Sequence, residues 1–309
     1  MDTYSNLFIL LPEFLLIASG WALCRFTSFK RPLWESVEKL IYFVLFPCLL
    51  ITSTSKAKID WPKNTTMLLI IAACVLIVAG LAYAAKWFIK ADPIKYASGI
   101  QTTFRFNTYI AFAAAGRLGG DEGIALMAIT VACLVPFANT LAVLSLAKHS
   151  STKLWKELIT NPFIIATLSG LALNTLGIHL AEVVNQTLSR VGSASIPLGL
   201  MTVGASLVWN LNKQDILLVS YWSSIKLMIL PGLILFLGIM NELESAQLRN
   251  AVLWAAMPTA TTSYVLAVRM GGHGPIVSIT ITLMTLIGSL TIPFWIAMIE
   301  PARIFLGGF

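Results

Sequence analysis

The sequence predicts an all-α polytopic membrane protein with ten transmembrane helices, arranged as two inverted five-helix repeats. Of the 309 residues, 57% are hydrophobic and 11% are charged, and the mean hydropathy is +0.82. Soluble domains carry about 25% charged residues, so a soluble globular protein, a disordered chain and a disulfide scaffold are excluded. Two further observations support the prediction: ten apolar runs of spanning length, and motifs that recur at a nearly constant offset.

The ten apolar runs are close to the ~20 residues that a bilayer-spanning helix needs. They occupy residues 6–24, 36–55, 66–90, 96–116, 123–147, 162–178, 183–209, 215–239, 249–270 and 275–299. A signal peptide carries positive charge ahead of its apolar stretch. Here Asp2 precedes the first run, and Arg25, Lys30 and Arg31 follow it. We therefore expect the first run to be a retained helix.

The basic residues between the runs predict that both termini lie outside. With the N-terminus outside, eleven Lys and Arg residues fall in cytoplasmic loops and seven on the opposite side. Cytoplasmic loops of membrane proteins carry an excess of these residues. We expect a multi-pass protein of the plasma membrane, the inner membrane in a bacterium. The net charge of +7 is explained by topology, and no nucleic-acid partner is expected.

Internal repetition predicts that the chain consists of two related halves of opposite orientation in the membrane. Three pairs of identical residues are 150 positions apart: Pro12 and Pro162, Gly20 and Gly170, and Pro47 and Pro197. The tetrapeptide Arg-Leu-Gly-Gly at Arg117–Gly120 recurs as Arg-Met-Gly-Gly at Arg269–Gly272, at an offset of 152. Because five is odd, the second unit enters the membrane in the opposite sense, as is typical of secondary transporters. The predicted organisation is a first repeat at 1–147, a connecting loop at 148–161 and a second repeat at 162–309.

Polar interruptions at equivalent places in the fourth and ninth runs predict a binding site at the membrane midplane. The residues concerned are Arg105, Asn107 and Thr108 in the fourth run and Pro258, Thr259 and Thr261 in the ninth. Proline removes a backbone donor, and a broken helix is tolerated at this depth only beside protein or a water-filled cavity. The N-termini of the half-helices would favour an anion.

Three charged residues inside apolar runs have competing interpretations. Arg105 either holds the substrate anion, since its fork suits a carboxylate, or forms an internal ion pair with Glu13. Lys226 lies near a helix break at Pro231, where it takes part in coupling or an ion pair, or it snorkels from a shallow position. Glu13 is a candidate proton-coupling carboxylate, or the partner of a buried cation.

Prolines and one asparagine complete the candidate residues. Pro47, Pro197 and Pro258 are predicted helix breaks or hinges. Asn139 follows Pro136 in the fifth run and supplies either an amide contact to the cavity or a packing hydrogen bond.

The sequence lacks the motifs of several catalytic classes. It has no phosphate-binding Gly-Lys-Ser/Thr loop, no His-Glu-x-x-His and no metal-ligand spacing among its cysteines and histidines. We expect a protein that is not an enzyme and that has no metal or cofactor.

The order of short motifs resembles the auxin efflux carrier family of transporters in its short microbial form. The matching segments are Leu11–Pro12 with Gly20, Leu45–Pro47, Asn161–Ala166, Ile196–Leu198, Gly204–Leu207, Lys226–Pro231 and Ala256–Pro258. The resemblance covers nearly the whole chain. It implies that helices four and nine unwind and cross at mid-membrane, at Asn107 in the first repeat and at Pro258–Thr259 in the second. It also makes a homodimer plausible.

One position departs from the family pattern. The plant carriers have Pro-Asn at the first crossover, whereas this chain has Phe106-Asn107. Arg105 has no plant counterpart, so its interpretation depends on the physical argument alone.

The expected function is secondary active transport of a small organic anion, a carboxylate, by alternating access at the crossover. The bilayer and this anion are the expected partners. A potential-driven uniporter or channel for the same anion is the main alternative, and a receptor that binds without transport is another.

Overall fold

The computed structural model describes residues 11–56, 61–90, 92–146, 162–208 and 215–306. Within these ranges the regular structure is entirely helical, which confirms the predicted all-α class for the described part of the chain. The predicted connecting loop at 148–161 lies outside the described residues, as do residues 6–10 of the first apolar run.

The helices are numbered along the chain. They are α1 Leu11–Phe26, α2 Arg31–Leu40, α3 Phe46–Ser55, α4 Trp61–Ala84, α5 Pro93–Ile100, α6 Thr108–Leu146, α7 Pro162–Thr175, α8 Glu182–Ser193, α9 Ser195–Ala205, α10 Ile216–Ser224, α11 Leu230–Met240, α12 Ser245–Ala256, α13 Thr262–Arg269 and α14 Gly274–Leu306. Short π-helical turns at Ile41–Leu45 and Ile225–Ile229 join α2 to α3 and α10 to α11.

Five helical stretches are long and apolar enough to cross a membrane by length and composition. They are Arg31–Ser55, Asn64–Trp87, Pro93–Leu146, Ile216–Met240 and Gly274–Phe305. Large apolar side chains also lie on the surface, with Leu15 59%, Leu69 65% and Leu290 71% exposed. Water would disfavour such a surface, whereas lipid chains suit it, so the chain is a polytopic membrane protein.

The helices pack as two bundles. The first contains α1, α2, α3, α7, α8 and α9, and its most extensive contacts join α1 to α9 and α3 to α7. The second contains α4, α5, α10, α11, α12, α13 and α14. Helix α6 packs against both, and the buried ring of Phe46 on α3 contacts the rings of Tyr109 and Phe112 on α6 with centroids 5.3 Å apart in each pair.

Close approaches within the first bundle recur between the two halves of the chain. A Cβ on Gly20 of α1 would lie 2.0 Å from the carbonyl oxygen of Met201 on α9. A Cβ on Gly170 of α7 would lie 2.9 Å from the carbonyl oxygen of Ile51 on α3. Each residue of the second contact is related to one of the first by 150 positions. Glycine is required at both places because the backbones touch.

A second contact repeats in the same way. A Cβ on Gly204 would lie 1.7 Å from the carbonyl oxygen of Ile17. At the positions related by 150 residues, the Thr54 hydroxyl donates to the carbonyl oxygen of Thr167 at 3.5 Å.

Proline accompanies three of the irregularities in the helices. A π turn at Ile41–Leu45 comes just before Pro47, and one at Ile225–Ile229 comes just before Pro231. The α8–α9 helix is interrupted at Ala194, three residues before Pro197. Because proline lacks an N–H and its ring meets the preceding turn, the helix widens or breaks at these points.

Candidate functional site

The ninth apolar run is broken at its proline. Helix α12 ends at Ala256, and Met257 adopts an extended conformation with φ −64° and ψ 139°. The residue before proline is driven out of the helical region by the proline ring, so Pro258 accounts for this break. The helix resumes at Thr262 after Thr261, which occupies the N-cap position.

The fourth apolar run is broken without a proline. After α5 and a 3₁₀ turn at Gln101–Thr103, the chain is non-helical until α6 begins at Thr108. Asn107 forms the N-cap of α6, since its side-chain Oδ1 accepts hydrogen bonds from the backbone N–H groups of Tyr109 at 3.0 Å and Ile110 at 3.2 Å. Asparagine is among the best N-cap residues.

The two breaks meet. The backbone N–H of Asn107 donates to the carbonyl oxygen of Pro258 at 2.8 Å. Both residues are buried, as is Thr259, whose hydroxyl lies 3.4 Å from that of Ser263. The structure therefore brings Asn107, Pro258 and Thr259 together.

Arg105 connects the two broken runs. Its guanidinium donates to the Gln101 Oε1 at 3.0 Å and to the Thr262 hydroxyl at 3.0 Å. The Gln101 amide in turn donates to the carbonyl oxygen of Ser263 at 3.2 Å. The pairing of Arg105 with Glu13 stays a prediction. The side chain is half-buried, so the guanidinium is held at the crossover but is not sealed inside it.

Sequence reasoning missed two residues beside the crossover. Gln101 is fully buried and links the two breaks. Glu38 of α2 is half-buried, and its carboxyl is close enough to accept a hydrogen bond from the Thr261 hydroxyl. Glu38 therefore brings a carboxyl of the first bundle beside the crossover. The signal in each case was a strongly polar residue inside an apolar run.

Other predicted residues lie at or away from the crossover. Thr108 is the half-buried first residue of α6. Asn139 is half-buried on the part of α6 that follows the non-helical Gly120, and no hydrogen bond described for this part of the chain joins it to the crossover. Glu13 is half-buried on α1, and its Oε2 has no hydrogen-bond partner among the described residues.

Lys226 is enclosed by protein. It is 0% exposed, so the snorkelling alternative is wrong. Its Nζ lies 5.1 Å from the centre of the Trp254 ring, and that ring lies 5.0 Å from the Phe106 ring beside Asn107.

Several groups at the crossover favour an anion, whereas the Glu38 carboxyl beside Thr261 opposes one. Helices α6 and α13 both begin there, and helix N-termini carry partial positive charge. Arg105 adds a full charge, and the Asn107 Nδ2 is a buried donor without a partner among the described residues. Such groups can bind a carboxylate by charge-assisted hydrogen bonds.

Comparison with known proteins gives an independent result. The profile described as "Membrane transport protein" matches residues 122–296, which is more than half of the chain. A protein of Rhizobium meliloti (strain 1021) named "Putative malonate transporter" is 23% identical over 306 residues, covering 92% of each chain. The motif resemblance to auxin efflux carriers points to the same group. The chain therefore belongs to the membrane transport protein family, the family of the auxin efflux carriers.

Proposed function

We propose that this protein is a secondary transporter that carries a small organic anion, a carboxylate, across the membrane by alternating access. The observation that carries the proposal is the crossover, where Asn107 and Pro258 pair through their backbones at 2.8 Å. Paired helix breaks at equivalent repeat positions are typical of midplane substrate sites in secondary transporters.

The substrate site is proposed to consist of Arg105, Asn107, Thr259 and Thr261, with Thr108 at the start of α6. Arg105 would bind a carboxylate through its guanidinium, because this planar fork matches the two oxygens. The Asn107 Nδ2 would supply a neutral donor, since its amide oxygen is already used by the helix cap.

The two bundles supply the moving parts. The crossover lies in the second bundle, and the contact of Glu38 with Thr261 joins it to the first. Rocking of one bundle against the other would expose the crossover to each side in turn. The prolines at 47 and 197 lie in the first bundle, where they are proposed hinges.

We propose ten membrane-spanning segments in two inverted five-helix repeats, at 1–147 and 162–309, with both termini outside. The reciprocal contacts of Gly20 with Met201 and Gly170 with Ile51 support this organisation, because two related repeats exchange equivalent contacts. The excess of basic residues in the loops assigned to the cytoplasm supports the orientation.

Malonate is the first substrate to test. The relative from Rhizobium meliloti carries malonate in its name, and malonate is a small dicarboxylate of the charge that the crossover favours. We therefore propose a short carboxylate as the substrate class, and malonate as the compound that represents it.

The proposal is tested by malonate uptake into proteoliposomes containing the wild type or Arg105→Gln. Charge-assisted hydrogen bonds contribute about 1.5–3 kcal/mol, so the substitution should weaken malonate binding by roughly tenfold to a hundredfold. Arg190→Gln is the matched control, because Arg190 is an exposed arginine on α8, and it should transport normally. Normal malonate uptake by a folded Arg105→Gln protein would contradict the proposed site.

A further inference from the structure

The region behind the crossover is rich in buried donors without acceptors. Four side-chain atoms have no hydrogen-bond partner among the described residues: Trp222 Nε1, Ser223 Oγ, Lys226 Nζ and Trp254 Nε1. Three of these residues are within one helical turn of each other on α10 and the following π turn. Buried polar groups are normally satisfied, so this cluster needs an explanation.

The backbone holds Lys226 in this interior position. The residue belongs to the π turn that comes just before Pro231. The carbonyl oxygen of the next residue, Leu227, accepts a hydrogen bond from Trp295 Nε1 at 2.7 Å. The Lys226 head lies over the Trp254 ring, which stabilises an ammonium through a cation–π contact.

No counter-ion for Lys226 is present on the described parts of the surrounding elements. The π turn packs against α4, α10, α11, α12, α14 and the 3₁₀ turn at Gln101–Thr103. Their titratable and charged groups with described side chains are Cys74, Tyr83, Tyr221, Arg249, Glu300 and Arg303. Glu300 is the one carboxylate among them, and it is exposed near the end of α14. None of these groups pairs with Lys226.

An isolated buried charge is costly, and an anion held nearby would offset that cost. Lys226 Nζ lies 5.1 Å from the centre of the Trp254 ring, which lies 5.0 Å from the Phe106 ring beside Asn107. For the Coulomb estimate we take a separation on the order of 10 Å between the ammonium and a carboxylate at the crossover. At that distance an anion and the ammonium stabilise each other. By linkage, the charged form of Lys226 favours binding of the anion, and the bound anion favours the charged form of Lys226.

We propose that Lys226 is the internal counter-charge of the transported anion and sets a preference for dianions over monoanions at the crossover. This inference rests on the proposed function and deepens it. Lys226 acts through space as a specificity-determining residue. The Coulomb interaction, at an effective dielectric constant of about 20, corresponds to roughly tenfold in affinity for each unit of substrate charge.

The test compares the binding of malonate, a dianion at neutral pH, with that of its monomethyl ester, a monoanion. In Lys226→Met the affinity for malonate should fall by roughly a hundredfold and that for the ester by roughly tenfold. The ratio of the two affinities should therefore fall about tenfold. Lys226→Arg should keep the ratio, and Lys39→Met, which removes an exposed lysine on α2, should not change it.

A second variant covers the case in which Lys226→Met does not fold. Ser223→Asp leaves Lys226 in place and puts a carboxylate one turn away, so it supplies the missing counter-ion. The affinity ratio should again fall about tenfold. A ratio within about twofold of the wild type in either folded neutralised protein would overturn the inference. If Arg105→Gln still loses malonate binding in that case, the proposed function stands, whereas normal binding by Arg105→Gln would refute the function itself.

Discussion

The Asn107 N-cap offers the sharpest test of what maintains the helix break in the fourth apolar run. Asn107→Ala removes the oxygen that accepts from Tyr109 and Ile110 and leaves two buried N–H groups without an acceptor. Loss of an N-cap costs about 0.5–2 kcal/mol, and each unsatisfied buried donor costs about 1–3 kcal/mol. The missing cap and the two unsatisfied donors are one and the same loss, so we expect a destabilisation of about 2–6 kcal/mol.

The assay is thermal unfolding in detergent followed by tryptophan fluorescence. For a protein of this size about 1 kcal/mol corresponds to 2–4 °C in Tm, so the melting temperature should fall by roughly 4 °C or more. Asn107→Asp keeps the accepting oxygen and should melt near the wild type, while its new negative charge should abolish anion binding. Asn185→Ala, a half-buried asparagine of α8, is the matched control. An Asn107→Ala protein that melts within about 1 °C of the wild type would refute the capping argument.

Three other substitutions test the packing and the ion pair. Gly204→Ala should prevent stable folding, because its Cβ would lie 1.7 Å from a backbone oxygen. Gly80→Ala is the control: a Cβ there has no neighbour within 4 Å, so the variant should fold and its free energy of unfolding should rise by up to about 1 kcal/mol. Expression level and Tm distinguish the two variants. Gly120→Ala should destabilise by about 1–3 kcal/mol because of its φ of +56°, and helical Gly119→Ala should not, as unfolding experiments will measure. Asp215→Asn should lower Tm by a few degrees, because it breaks the partly buried ion pair in which the Nζ of Lys95 on α5 lies 2.9 Å from the Asp215 carboxylate. An unchanged Tm would contradict this.

The sequence predicted the helix break at Pro258 better than the one before Asn107. Pro258 is a local signal, because its ring restricts Met257 whatever the rest of the chain does. The break before Asn107 has no such residue. It depends on the N-cap and on pairing with Pro258, which is distant in the sequence, so polar composition indicated the place but not the cause.

The remaining differences come from contacts between distant segments. Gln101 and Glu38 were missed because their importance depends on Ser263 and Thr261, which the fold brings to them. The depth of Lys226 was ambiguous because its helix could in principle present it to either lipid or protein. The described structure encloses it completely.

The most direct measurement of the central claim is malonate counterflow in proteoliposomes. A carrier that alternates around one crossover site exchanges internal for external substrate, so preloading the vesicles with unlabelled malonate should accelerate uptake of labelled malonate. Uptake should also saturate, and Arg105→Gln should raise the malonate concentration needed for both effects by roughly tenfold to a hundredfold. Uptake that does not respond to internal malonate and keeps increasing with membrane voltage at saturating substrate would contradict alternating access and favour a channel.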